Sequence, residues 1–190
     1  MPHLPAPSPR AVPSDRVRSA FIWELNERGG LLREDGAVLL EMTLGTDGTT
    51  WFNSGLEQWA VRDRGFWNPR TEVVNQDRIV AELVRPFLGS KARITIGDRS
   101  YFCKLTNAPL VRLSVHNSGG VEVLNYAIQA VPRPETVFEV RNTWTLRAHL
   151  LLLIMLGQHA FRGIRTEYMS SESGRPDLDT LRDRSVQRTS

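Results

Sequence analysis

A closed antiparallel β-barrel of about twelve strands, wrapped around one hydrophobic helix near the C-terminus, is the fold class this sequence predicts. Three observations carry that expectation. Turn-forming dipeptides recur every ten or so residues between positions 20 and 141, with β-branched and aromatic residues between them. Several of the intervening segments alternate apolar and polar side chains, the pattern of a sheet with one buried face. After residue 141 the period changes. The stretch LRAHLLLLIMLGQHAFRGI contains no proline and is apolar around its whole circumference.

Taken in order, a first strand over 20–25 leads into a turn over 26–30, and a second turn falls at Asp35-Gly36. Segments 37–44 and 49–53 are separated by Asp47-Gly48. Segment 56–62 ends before Gly65 and Asn68-Pro69. Strands over 71–74 and 78–84 precede Pro86 and Gly89-Ser90. The clearest hairpin joins 91–96 to 100–105 through Gly97-Asp98, and a second joins 111–116 to 121–128 through residues 117–120. A last strand covers 137–141. Ile94 and Ile96 oppose Arg93 and Thr95, and Val111, Leu113 and Val115 oppose Arg112, Ser114 and His116. Ile79, Ala81 and Leu83 share one face, with Val80 and Val84 on the other.

A helix is expected over 143–167, with Asn142 or Thr143 as its N-cap. Leu146, Leu150, Ile154 and Phe161 line one side, while Leu151, Leu152, Met155 and Leu156 cover the rest. A helix apolar all round must be buried all round or lie in lipid. Its longest apolar run, 150–156, is seven residues, whereas a span needs roughly 20. Enclosure by the strands is the remaining solution. The domain is therefore placed at 19–168, between a disordered Pro-rich arm over 1–18 and a disordered polar tail over 169–190.

At 190 residues, 41% hydrophobic and 24% charged, the chain has the composition of one globular domain. The net charge of +3 is small, and its arginines are scattered among 21 acids, so a nucleic-acid partner is not expected. A single cysteine, Cys103, excludes an internal disulfide or a cysteine-based zinc cage and suits a reducing cytoplasm. The first eighteen residues lack the apolar core of a secretory signal. A cytoplasmic protein, peripheral at a membrane, is the expectation.

Ile79-Val80-Ala81-Glu82-Leu83, the run Phe87-Leu88-Gly89-Ser90-Lys91-Ala92-Arg93-Ile94-Thr95-Ile96, and the apolar helix over 146–164 together resemble the C-terminal domain of tubby proteins and its relatives, the phospholipid scramblases and the LURP-one-related proteins. Local similarity covers about twenty residues, and strand order with a final helix extends it over 20–167. The resemblance implies a barrel around a helix and phospholipid recognition. The family's own head-group pair, Lys-x-Arg, precedes the Gly-Thr/Ser-Lys turn. Here the nearest triplet is Glu82-Leu83-Val84, followed by Arg85, so that pair is not carried over. The cysteine-rich segment and acidic calcium loop of scramblases are missing as well.

Residues 78–112 hold seven bases against two acids, Glu82 and Asp98. Within that run Lys91 and Arg93 lie two apart on one strand, hence on one face, with Arg85, Arg99, Lys104 and Arg112 nearby. These six are the candidate lipid-binding residues, because a near-surface cation gains about 1 kcal/mol at an anionic membrane. A solvated sheet face that discourages edge aggregation accounts for the same charges. His149 and His159, ten apart on the helix, cannot meet at one ion, and His116 has no marked carboxylate partner, so no metal site is assigned. Cys103 alternates with Tyr101 and Leu105 on a strand and reads as a buried thiol. Trp23, Trp51, Phe52, Trp59, Phe66 and Trp67 crowd the first third of the domain and read chiefly as wall packing, with Trp67 the one expected at the surface. No cofactor is expected, and G-x-S-x-G, the P-loop, G-x-G-x-x-G and H-E-x-x-H are all missing. The expected function is a non-catalytic module that binds anionic phospholipid surfaces or a protein partner. The alternative is a small-molecule carrier using the barrel interior.

Overall fold

The computed structural model of the chain describes residues 21–26, 28–55, 57–65, 69–85, 91–106, 111–129, 135–141 and 145–170. Its strands are β1 (Phe21–Asn26), β2 (Gly29–Glu34), β3 (Ala37–Leu44), β4 (Thr50–Ser54), β5 (Glu57–Arg64) and β6 (Arg70–Asn75), then β7 (Arg78–Val84), β8 (Lys91–Ile96), β9 (Arg99–Thr106), β10 (Arg112–Asn117), β11 (Glu122–Gln129) and β12 (Glu135–Val140). One helix, α1 (Arg147–Ser170), follows. The strands form a single antiparallel meander in which each pairs with its sequence neighbours, β1 through β12. β12 returns beside β1 without a ladder between them, so the barrel is nearly closed.

The two ends of the barrel differ. At one end the strands are joined by tight turns that use left-handed backbone: Asp35-Gly36, with φ of 49° and 87°, and Gln76-Asp77, with φ of 46° and 63°. This is the geometry of a primed hairpin turn, whose twist matches that of the strands. At the other end the longer connections leave β5, β7, β9 and β11. We call these the turn end and the loop end. β2 begins inside the segment 26–30 that reads as a turn. Gly29 and Gly30 are buried strand residues there, and a Cβ on Gly29 would overlap the Met42 carbonyl of β3, so the glycine allows a close backbone approach.

α1 enters at the turn end and leaves at the loop end. Arg147, on its first turn, pairs with Glu34 of β2 and lies 5.4 Å over the Phe21 ring. His149 Nδ1 is 3.0 Å from Tyr101 Oη of β9. Deeper in, the Tyr126 hydroxyl donates to the Ile154 carbonyl at 3.0 Å, and its ring stacks between Phe138 and Phe161. Residues 153–159 are buried without a break. Seven consecutive positions at 100° each cover almost two turns, so no side of the helix is left wet over that length. Enclosure thus holds, three residues further on than the 150–156 run suggests, because Leu151 and Leu152 near the entrance are only half-buried.

The helix begins at Arg147, not 143, and ends at Ser170, not 167, so 169–170 are helical instead of part of a tail. The expected N-cap at Asn142 or Thr143, the Pro-rich arm, the tail beyond 170, and Phe66 and Trp67 lie outside the described residues. Leu32, Leu40, Phe52, Val61, Val73, Ile94, Val115 and Leu124, all fully buried, belong with the inner residues of α1 to one hydrophobic core. Ile79 departs from the alternation and is 55% exposed, just past a register shift at Val73/Val74.

Candidate functional site

The six bases singled out by their spacing divide three and three. Lys91, Arg93 and Lys104 share the outer face of β8 and β9. Lys91 stands directly opposite Lys104, and Arg93 opposite Phe102. The two lysines are the only ones in the chain. Like charges directly opposed across strands destabilise a sheet, and among the described residues Lys91, Arg93 and Lys104 have no acidic partner.

The other three are held differently. Arg112 donates twice to Glu122, at 2.6 and 2.7 Å, within an outer-face cluster that includes Asn125, Glu139 and Arg141. Arg85 lies at the loop end beside Asp63 and Thr71. Arg99 is Cα partner to the inward Ile96 at the turn end, near Tyr101. Arg112 stands on the same outer face, opposite Thr106 and so diagonal to Lys104, but Glu122 meets its charge; Arg85 and Arg99 lie apart from that face.

Strand register supplies two bases that chain proximity does not. Following the ladder from Arg93 gives Val84, then Arg70, then Arg64, with Phe102 on the other side. This outer-face row crosses five strands, about 19 Å at the usual strand spacing. Arg64 opposes Arg70 as Lys91 opposes Lys104. Arg70 is held by Glu72 and Glu82, whereas Arg64 has no acidic partner among the described residues. Phe102, at the β9 end of this row, is 37% exposed.

Inside the loop end is a second polar group. His159 of α1 is 6% exposed. Its Nε2 donates to Asp63 Oδ2 at 3.3 Å, and Nδ1 shares a 2.8 Å hydrogen bond with Thr50 Oγ1. Thr71 Oγ1 donates to Asp63 Oδ1 at 2.6 Å, and Arg85 Nη2 donates to Thr71 Oγ1 at 3.2 Å. Partial burial pushes the Asp63 carboxyl up. The hydrogen bond from His159, the charges of His159 and Arg85 and the bond from Thr71 outweigh it and hold the group well below the usual carboxylate range. Hydroxyl, imidazole and carboxylate follow the order of an acyl-transfer triad. A nucleophile must meet its substrate, however, and Thr50 is fully buried. We read the chain of bonds as the anchor of α1 at its exit.

The remaining imidazole among the described residues, His116, bonds to Ser114 Oγ and the Gly120 carbonyl. Burial pushes the Cys103 thiol up to about 12, against a smaller opposing pull from Arg85, which is the behaviour of a packed thiol and not of a nucleophile. Trp51 is 39% exposed, whereas Phe52 and Trp59 are wall residues. Among the described residues no helix is long and apolar enough to cross a membrane. Among the described residues, a pocket walled by Leu25, Leu44 and Phe161 has a volume of about 50 Å³, against the 300 to 1,000 Å³ typical of small-molecule sites. The barrel interior that a carrier would use is filled by α1. No family model, curated protein or solved structure matches the chain.

Proposed function

We propose that the chain is a non-catalytic binding module that associates with anionic phospholipid surfaces through the outer face of β5–β9 at the loop end. The observation that carries this reading is the opposition of Lys91 and Lys104, extended by Arg93 and Arg64, with no acid to neutralise them among the described residues. A sheet bears such repulsion at a cost in stability. An anionic partner relieves it. Phe102, exposed between Arg93 and His116, supplies an apolar side chain suited to the head-group boundary. The tubby-like resemblance of the sequence points to the same ligand class through a different set of bases.

Four free cations at about 1 kcal/mol each give about 4 kcal/mol, equivalent to a Kd on the order of 1 mM before any insertion of Phe102. Association is therefore reversible and salt-sensitive. Flotation of the full chain with vesicles of phosphatidylcholine, with and without phosphatidylserine, tests it. Binding is expected only with phosphatidylserine. The double variant Lys91→Ala/Arg93→Ala loses about 2 kcal/mol, or roughly 30-fold. Equal recovery on neutral and anionic vesicles at low salt removes the reading.

A further inference from the structure

A small pocket opens beside α1 at the loop end, on the inner side of β1–β3 and away from the basic outer face. Leu25, Leu44 and Phe161 wall it, and Gln158, Arg162 and Arg165 reach it from the helix. Gln158 is 3% exposed, and its carboxamide oxygen accepts no hydrogen bond from the described residues. A buried acceptor left without a donor costs about 1–3 kcal/mol, and folded interiors keep few of them. Arg162 and Arg165 are three apart on α1 and so lie on neighbouring faces. Arg165 is half-buried and has no acidic partner among the described residues.

These features specify complementary chemistry. The Arg165 guanidinium calls for negative charge, and its planar fork suits oxyanions. The Gln158 oxygen calls for a donor. A water position needs about 10–15 Å³ of such space, so a pocket of about 50 Å³ holds a group of about three to five heavy atoms and is too small for an acyl chain. We propose that this pocket is a binding site for a compact oxyanion that carries its own O–H, with protonated phosphate as the type. Its oxygens pair with Arg165, and its O–H donates to Gln158 Oε1. The site is independent of the membrane reading and does not use its residues.

Phosphate and sulfate have the same shape, but at neutral pH only phosphate carries a proton to donate. Titration of the full chain at low ionic strength, followed by calorimetry or amide chemical shifts, compares the two ions. Saturable phosphate binding is expected, with sulfate at least about tenfold weaker, the size of one hydrogen bond to a charged group. Gln158→Leu lowers phosphate to the sulfate level and leaves sulfate unchanged. Arg165→Gln weakens both ions about tenfold, and because it lies near the helix end it keeps the test open if Gln158→Leu fails to fold. Lys91→Ala/Arg93→Ala leaves phosphate affinity unchanged while reducing vesicle flotation, which separates this site from the outer face. Equal affinity for the two ions in the unmodified chain overturns the proposal. So does the absence of saturation at about 10 mM phosphate.

Discussion

α1 contains two glycines six residues apart that serve as probe and control for its surroundings. Gly157→Ala and Gly163→Ala make the same chemical change on the same helix, and alanine is favoured over glycine there by about 0.8–1.0 kcal/mol. At Gly163 a Cβ meets nothing within 4 Å, so the full gain should appear. At Gly157 a Cβ would lie 2.6 Å from Cε2 of Tyr126, about 1 Å inside ordinary carbon–carbon contact. The ring cannot step back. It is fully buried, stacked 4.7 Å from Phe138 and 5.3 Å from Phe161, and tied by its hydroxyl to the Ile154 carbonyl. Overpacking a core costs about 1–3 kcal/mol, and displacing the ring endangers a hydrogen bond contributing about 1 kcal/mol. Gly157→Ala should therefore lose about 1–3 kcal/mol net, and the two variants should differ by about 2–4 kcal/mol. Urea denaturation read by tryptophan fluorescence gives both midpoints, with the slope m as the check that the unfolded state is unchanged. Two variants equally stabilised would show that Gly157 does not face Tyr126 and that α1 is not seated as described.

Three further outcomes follow from named groups. Lys104→Glu turns the like-charge pair with Lys91 into an opposite-charge one, so it should raise stability by about 0.2–1 kcal/mol while weakening anionic-vesicle binding roughly 30-fold; a variant that loses stability, or floats as well as the parent, contradicts the role given to that pair. Asp63 is held below its ordinary range, so its stabilising contribution is present above the unfolded carboxyl value of about 4 and is lost as pH falls through the folded value. The stability gap between the parent chain and Asp63→Asn should accordingly be open at pH 5 and close as the solution is acidified below pH 4. A gap that stays constant to about pH 2 would show that the carboxylate is not the stabilised species. Cys103, buried with its thiol raised to about 12, should resist iodoacetamide at pH 8 in the folded chain and react promptly in urea.

The fold was legible because two periodicities of hydrophobicity are separated cleanly along the chain. Alternation around Ile94, Ile96, Leu113 and Val115 reports a one-sided sheet, and these residues are buried as expected. The turn between β6 and β7 gives no glycine signal, since Gln76 and Asp77 adopt left-handed backbone without one. Gly29 and Gly30 send the opposite false signal, because close strand approach and not a turn requires them. The candidate sites were less legible. A run of bases within 78–112 marks a stretch of chain, whereas a face is assembled by register. Register sets Arg64 and Arg70 in the same row as Arg93, and it leaves Arg112 beside Glu122, ten residues away. The Thr50–His159–Asp63 chain joins residues 96 to 109 positions apart that no motif links.

Hydrogen exchange along α1 tests the enclosure of the helix most directly. With every side of residues 153–159 covered, their amides should exchange only by global unfolding, at the slowest rates in the chain, while those of residues 163–165 near the loop end exchange faster through local fraying. Fast exchange alternating with slow exchange at a helical period within 153–159 would mean that one flank of α1 meets water and that the strands do not surround it.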